Sequence, residues 1–366
     1  MNKIKIKEHI KKLPEYIPGK TIQEIKEKYN LKEVYKLASN ENILGPSPKI
    51  SQIIKTCLDD INYYPDSYNR QLRKKLSAIL KISEDSLIFG NGTDQVIEMV
   101  CDALLDDKKN IVIPDPTFLT YEKSALKNNA GIIKVSLKNF KQDVDSIKKA
   151  VNNKTSIIFL TSPHNPTGTI LSGKEIESLL TDIREDILLV LDEAYVEFMD
   201  EEDRPDSLGL LKKYSNLMIM RTFSKIYGLA GLRIGYGIAD MQLIKDISKL
   251  AQPFVVNQIA QQAALLSLDD TDYFDKSSEA IKSQRDKMSM QFEKGNIVYV
   301  KSSANFILIH TGKNTKIIVE ELLKNGFIVR DGEFLGFPNH IRVSVSTSEI
   351  NEKFLDCFFS IYKKHN

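Results

Sequence analysis

Several function classes are excluded by what this chain lacks. Its 366 residues hold three cysteines, Cys57, Cys101 and Cys357, far apart and without a CxxC pair, which fits reduced core thiols in a cytoplasm rather than a disulfide framework. The five histidines are scattered and show no HExxH spacing, so no metal site is expected. No apolar run approaches a membrane span, and the basic start MNKIKIKEHIKKLPEY lacks the continuous apolar stretch of a signal peptide. A formal net charge of +2, with no long Lys/Arg block interleaved with aromatics, argues against a nucleic-acid partner. Nucleotide signatures are incomplete as well: GNG at 90–92 lacks the third glycine of a dinucleotide fingerprint and is not followed by a phosphate-loop lysine. What remains, 42% hydrophobic and 27% charged, is the composition of an ordinary globular protein of a length that usually splits into two domains.

One further absence is local. No carboxylate occurs between Asp206 and Asp240, although Lys212, Lys213, Arg221, Lys225 and Arg233 all fall there. Such a field favours anions and the neutral amine of a buried lysine, the form that makes Schiff bases. In RTFSKIYGLAGLR, residues 221–233, Lys225 stands between an apolar strand and a glycine-rich turn. The hydroxyls of Thr222 and Ser224 and the guanidinium of Arg233 are suited to hold a phosphate beside it. Lysine plus phosphate clamp suggests pyridoxal phosphate. A solvated basic turn has the same residues, and the rest of the chain must discriminate.

The apolar runs SLIFG, NIVIP, GIIKVSL, SIIFLTS, ILLVLDE and NLMIMRT alternate with turns and amphipathic stretches. Strands that are apolar throughout, separated by helices, predict an α/β fold with a mostly parallel sheet covered on both faces. The segmentation expected is an arm with part of a small domain at 1–42, a large domain at 43–255 and a smaller α+β domain at 256–366. Active residues of such sheets gather at the carboxyl ends of the strands. Those ends carry Asp192 and Tyr195 (LDEAY), Asn165 (SPHNPTG), Gly92, Thr93 and Asp94 (GNGTDQ), and Phe118 (PDPTF). A fixed carboxylate such as Asp192 keeps a pyridine nitrogen protonated, although an aspartate is also a favoured helix cap. Asn165 and Tyr195 are suited to a phenolic oxygen, and the Gly92 turn to a phosphate at a helix start. Phe118 is suited to stack on a flat ring or to fill core. Arg330 and Arg342, near the C-terminus, are candidate anion binders or surface ion-pair partners.

Taken in order, YIPGK, LASNEN, NYYPD, GNGTDQ, PDPTFLTYE, SPHNPTG, DEAYVEF, RTFSKIYGLAGLRIGYG, SANFIL, VRDG and IRVSVST resemble, from end to end, the pyridoxal-phosphate aminotransferases of fold type I. Within them the resemblance is to the histidinol-phosphate branch of class II. It implies a catalytic Lys225 that carries the cofactor, Asp192 at the pyridine nitrogen, and Asn165 with Tyr195 at the phenolic oxygen. It implies Gly92, Thr93, Asp94, Thr222, Ser224 and Arg233 at the phosphate, with Tyr64 supplied across a homodimer, and Phe118 on the ring. Tyr16, Asn40, Arg330 and Arg342 would face the substrate. The activity implied is transfer of an amino group between L-histidinol phosphate and 2-oxoglutarate. Aromatic amino acid transamination and threonine-phosphate decarboxylation are the alternatives within the same cofactor chemistry. Ile43, Gln95, Phe118 and Ser346 depart from the commonest pattern, and none of them removes a catalytic group.

Overall fold

A computed structural model describes residues 4–11, 13, 15 and 18–365. A short strand near the start, β1 (Tyr35–Lys36), precedes the seven strands of the main sheet. These are β2 (Leu87–Gly90), β3 (Asn110–Asp115), β4 (Gly131–Ser136), β5 (Thr155–Thr161), β6 (Leu188–Asp192), β7 (Leu217–Thr222) and β8 (Gly235–Ile238). Their order is β2-β8-β7-β6-β5-β3-β4, and β8 alone runs against the others. The central strands β5 and β6 are buried along their whole length, as their unbroken apolar sequences require. Alternate residues feed two different cores: Ile158 and Leu160 of β5 pack with one set of helices, Ile157 and Phe159 with another. The helix Gln258–Asp269 joins the first of these cores through Ala260, Ala263 and Ala264.

The remaining strands are β9 (Tyr299–Val300), β10 (Phe306–His310), β11 (Phe327–Ile328), β12 (Arg330–Asp331) and β13 (His340–Ser344). Four of them form an antiparallel sheet in the order β12-β13-β10-β9, while β11 pairs in parallel with β1. Helices Thr271–Lys294, Thr315–Lys324 and Ser348–His365 contribute Met288, Ile318 and Phe354 to the core of this second unit. The same core also takes in Ala194, Tyr195 and Ile226, which follow the carboxyl ends of β6 and β7. The small sheet is thereby packed against the carboxyl edge of the large one.

Candidate active site

Cross-strand register brings the strand ends of the site level, because Thr161 of β5 is paired with Asp192 of β6, and Asp192 with Met220 of β7. Asp192 is 4% exposed. Its Oδ2 accepts from the Tyr121 hydroxyl at 2.6 Å and its Oδ1 from the backbone N–H of Ala194 at 3.0 Å. Burial pushes its carboxyl up to about 6, held back by those two donors, with Asp94 and Glu193 adding repulsion. Asp192 thus caps the turn after β6 with one oxygen and binds the Tyr121 hydroxyl with the other.

Lys225 follows β7. Its Nζ donates to the carbonyl of Ser39 at 3.0 Å and lies 5.5 Å from the centroid of the Tyr195 ring. The segment at Ser39 is the site's second wall. Three successive carbonyls are taken by three side chains: Ala38 accepts from Arg342 Nη2 (2.8 Å), Ser39 from Lys225, and Asn40 from Asn305 Nδ2 (3.0 Å). Asn40, held at φ 57°, turns its amide to the Tyr195 hydroxyl at 3.1 Å, and the Asn165 amide approaches the same oxygen at 3.5 Å. With both amides donating, the phenol proton of Tyr195 is left to point elsewhere.

At the sheet's edge, Gly92 caps the helix Thr93–Leu104 with φ +77° and no side-chain capping bond, so the first N–H groups of that helix are open to an anion. A Cβ on Gly92 would sit 2.5 Å from Nη2 of Arg233, so the absent side chain is what lets the guanidinium come up to the helix start. Arg233 also holds Asp94 Oδ2 at 3.0 Å, and Thr120 donates to Asp94 Oδ1 at 3.2 Å. Asp94 thus serves as an ion-pair and hydroxyl partner, while Gly92 takes the cap position. Thr222 Oγ1 accepts from the N–H of Ser224 at 3.0 Å and fixes the turn that leads to Lys225. Phe118 ends the loop before the helix Leu119–Lys127 and meets Tyr121 edge to face at 5.6 Å. An uncapped helix start with a guanidinium fits a phosphate, and a buried carboxylate with an aromatic wall fits a protonated heteroaromatic ring. The donor set therefore suits pyridoxal phosphate.

The small sheet contributes Arg342 and Arg330, which are directly opposite each other on β13 and β12. Arg342 is buried, donates to Asn165 Oδ1 at 2.6 Å, and keeps its Nε without a partner. Burial pulls its guanidinium down to about 10, with Tyr195 opposing and Arg330 reinforcing the shift. Among the described residues no carboxylate lies within ion-pair distance of either arginine, and like charges directly opposite on neighbouring strands are unfavourable unless an anion joins them. Arg330 sits over the Phe334 ring at 5.5 Å.

Tyr16 lies outside the described residues. Tyr64 is 80% exposed and stacks on Phe254 at 4.4 Å, on the outer surface of the chain. His164 is fully buried, shares a hydrogen bond with Thr167 at 2.9 Å, and is pushed down to about 3 by desolvation, which keeps it neutral. The acid-free segment is acid-free only in sequence: Arg221 meets Glu193 at 2.8 Å, Arg233 meets Asp94, and Lys213 meets Glu177 at 3.0 Å. Carboxylates from the turn after β6 and from two helices supply what the local sequence omits. Tyr121, Ser39 and Asn305 carried no motif of their own that marked them as site residues; only their neighbours in PDPTFLTYE, LASNEN and SANFIL did.

Comparison with known proteins places the chain in a family. A histidinol-phosphate aminotransferase of Geobacillus sp. (strain WCH70) is 39% identical over 361 residues, covering 99% of both chains. That of Bacillus licheniformis is 42% identical over 357 residues, covering 96% of this chain and 98% of its own. Among solved structures, the fold superposes on histidinol-phosphate aminotransferase from Sinorhizobium meliloti in complex with pyridoxal-5'-phosphate, with TM-score 0.90 and 23% identity over 99% of this chain and 98% of the other. The family model for aminotransferase class I and II matches residues 32–358. With nearly its whole length accounted for in this way, the chain belongs to the class I and II aminotransferases, and its cofactor is pyridoxal phosphate.

Proposed function

We propose that this protein transfers an amino group between L-histidinol phosphate and 2-oxoglutarate, giving imidazole-acetol phosphate and glutamate. The observation that supports this most directly is the pair Arg330 and Arg342, two cross-strand guanidiniums without a carboxylate partner among the described residues. Such a pair suits a phosphate in one half-reaction and a carboxylate in the other, since planar forks adapt to both. The relatives' shared name points to the same substrate. When bound, pyridoxal phosphate supplies an electron sink for charge released at the substrate's Cα. On our reading Asp192 holds the proton on the ring nitrogen by its charge, and Asn165 and Tyr195 bond the phenolic oxygen. Gly92, Thr93, Asp94, Thr222, Ser224 and Arg233 hold the phosphate, and Phe118 covers the ring face. Lys225 Nζ then carries the proton to and from the substrate's Cα. Asn165 is braced by Arg342, so seating of the substrate anion would be felt at the group beside Tyr195. Tyr16 and Asn40 complete the substrate side.

The working unit on this reading is a homodimer in which Tyr64 of the partner subunit reaches the phosphate. Its support is the run of exposed large apolar side chains Leu58, Ile61, Tyr63, Tyr64 and Tyr68 close together in the sequence. The test is a half-reaction screen of purified holoenzyme with histidinol phosphate, phenylalanine, tyrosine and threonine phosphate, following the cofactor's conversion by absorbance. Histidinol phosphate is expected to react fastest. Reaction of phenylalanine without histidinol phosphate would overturn the substrate assignment, and carbon dioxide release from threonine phosphate would indicate a decarboxylase. Lys225→Ala is expected to bind cofactor without turnover; sustained turnover would refute the role given to Lys225.

A further inference from the structure

The carboxylate that faces the ring nitrogen does not stand alone. Tyr121 is completely buried, stacked flat on Phe159 at 4.5 Å and edge-on to Phe118 at 5.6 Å. Its hydroxyl is 2.6 Å from Asp192 Oδ2 and 2.9 Å from Thr161 Oγ1. A phenol has one proton, and with that proton given to the carboxylate the Thr161 hydroxyl must be the donor to Tyr121. The Thr161 backbone is pinned in turn on both sides by the amide of Gln142: Nε2 donates to its carbonyl at 2.7 Å, and its N–H donates to Oε1 at 3.1 Å. Thr161 polarises the Tyr121 hydroxyl, which in turn donates to Asp192. One side chain is thereby attached to both groups that would hold the cofactor's ring, the carboxylate through its hydroxyl and Phe118 through its ring edge.

We propose that Tyr121 is the positioning residue that fixes Asp192 and keeps it charged at the ring nitrogen, a role that rests on the reading of Asp192 given above. Burial works against a charged Asp192, and so do its acidic neighbours: Asp94 from the helix Thr93–Leu104 and Glu193 at the end of β6 both repel it. Against these stand the Tyr121 hydroxyl, from the helix Leu119–Lys127, and the Ala194 N–H. A hydrogen bond to a charged acceptor is worth more than one to a neutral acceptor, so the contribution of Tyr121 must grow as Asp192 ionises. Packing of its ring, by contrast, does not depend on pH.

The experiment compares the apoprotein of the wild type with Tyr121→Phe, Asp192→Asn and the double variant by thermal unfolding from pH 5 to pH 8.5. Tyr121→Phe is expected to lower Tm by an amount that grows by about 2 °C or more across that range. In the Asp192→Asn background its effect should be the same at every pH. On reconstitution at pH 8, Tyr121→Phe should bind pyridoxal phosphate about tenfold or more weakly than the wild type. Parallel Tm profiles for the wild type and Tyr121→Phe would overturn the proposal while leaving the role of Asp192 intact. Asp192→Asn binding cofactor as tightly as the wild type would overturn both. Should Tyr121→Phe fail to fold, Thr161→Val removes only the donor to the Tyr121 hydroxyl; a smaller pH-dependent loss of Tm supports the proposal and a pH-independent loss refutes it.

Discussion

Substituting Gly92 by alanine tests whether the phosphate cradle is built by the absence of one side chain. The residue has φ +77° and ψ 170°, a region essentially confined to glycine, where an L-residue with a Cβ is strained by about 1–3 kcal/mol. The new Cβ would lie 2.5 Å from Arg233 Nη2 and 3.1 Å from its Cζ. Arg233 is the group that must yield, since its side chain is 41% exposed and its ion pair with Asp94 is of the partly exposed kind worth about 0–1 kcal/mol. The fold should therefore survive with a loss of about 1–3 kcal/mol, or about 1–4 °C in Tm for a chain of this size. The cofactor should suffer more. Losing a charge-assisted guanidinium–phosphate contact removes about 1.5–3 kcal/mol, which is about ten- to a hundredfold in Kd. The assay is titration of the apoprotein with pyridoxal phosphate for Gly92→Ala, Arg233→Met and the double variant. If alanine acts by displacing Arg233, the double variant should bind little worse than Arg233→Met, a coupling about as large as the smaller single effect. Fully additive losses, or wild-type affinity in Gly92→Ala, would refute the reasoning.

Behind the site, Glu193 and Arg221 pair in the core while Glu197 keeps one buried oxygen without a partner. Burial pushes the Glu197 carboxyl up to about 7, with Arg221 opposing the shift and Glu193 adding to it. A carboxyl whose pKa is raised by folding withdraws stability as pH rises from its ordinary range through the folded value, here about 3 kcal/mol in order of magnitude. Glu197→Gln is therefore expected to unfold about 3–4 °C above the wild type at pH 8 and within about 1 °C of it at pH 5, and an equal advantage at both would contradict the assignment. Arg342→Lys should lose one of the two bonds to Asn165 and Ala38 and with it the planar fork, costing about 2–5 kcal/mol in kcat/KM. The loss should appear as a raised KM for both the phosphorylated donor and 2-oxoglutarate; unchanged KM values would remove Arg342 from the substrate site.

The sequence by itself determined the strand ends and the residues standing on them. Asp192, Asn165, Thr222 and Lys225 were legible because an unbroken apolar run followed by a polar turn is a local pattern, and a parallel sheet sends such turns to one edge. The glycine at position 92 could be read as a helix start for the same reason. Partnership was decided only by the tertiary structure, since it depends on contacts between residues far apart in the chain. The cations around Lys225 looked unopposed until β6 and distant helices brought Glu193, Asp94 and Glu177 to them. Arg330 and Arg342 each read as a possible surface ion pair until antiparallel register set them opposite one another, one of them buried. Tyr121 gave no signal of its own, because a tyrosine three residues into a helix becomes a partner of Asp192 only when that helix lies beside the end of β6.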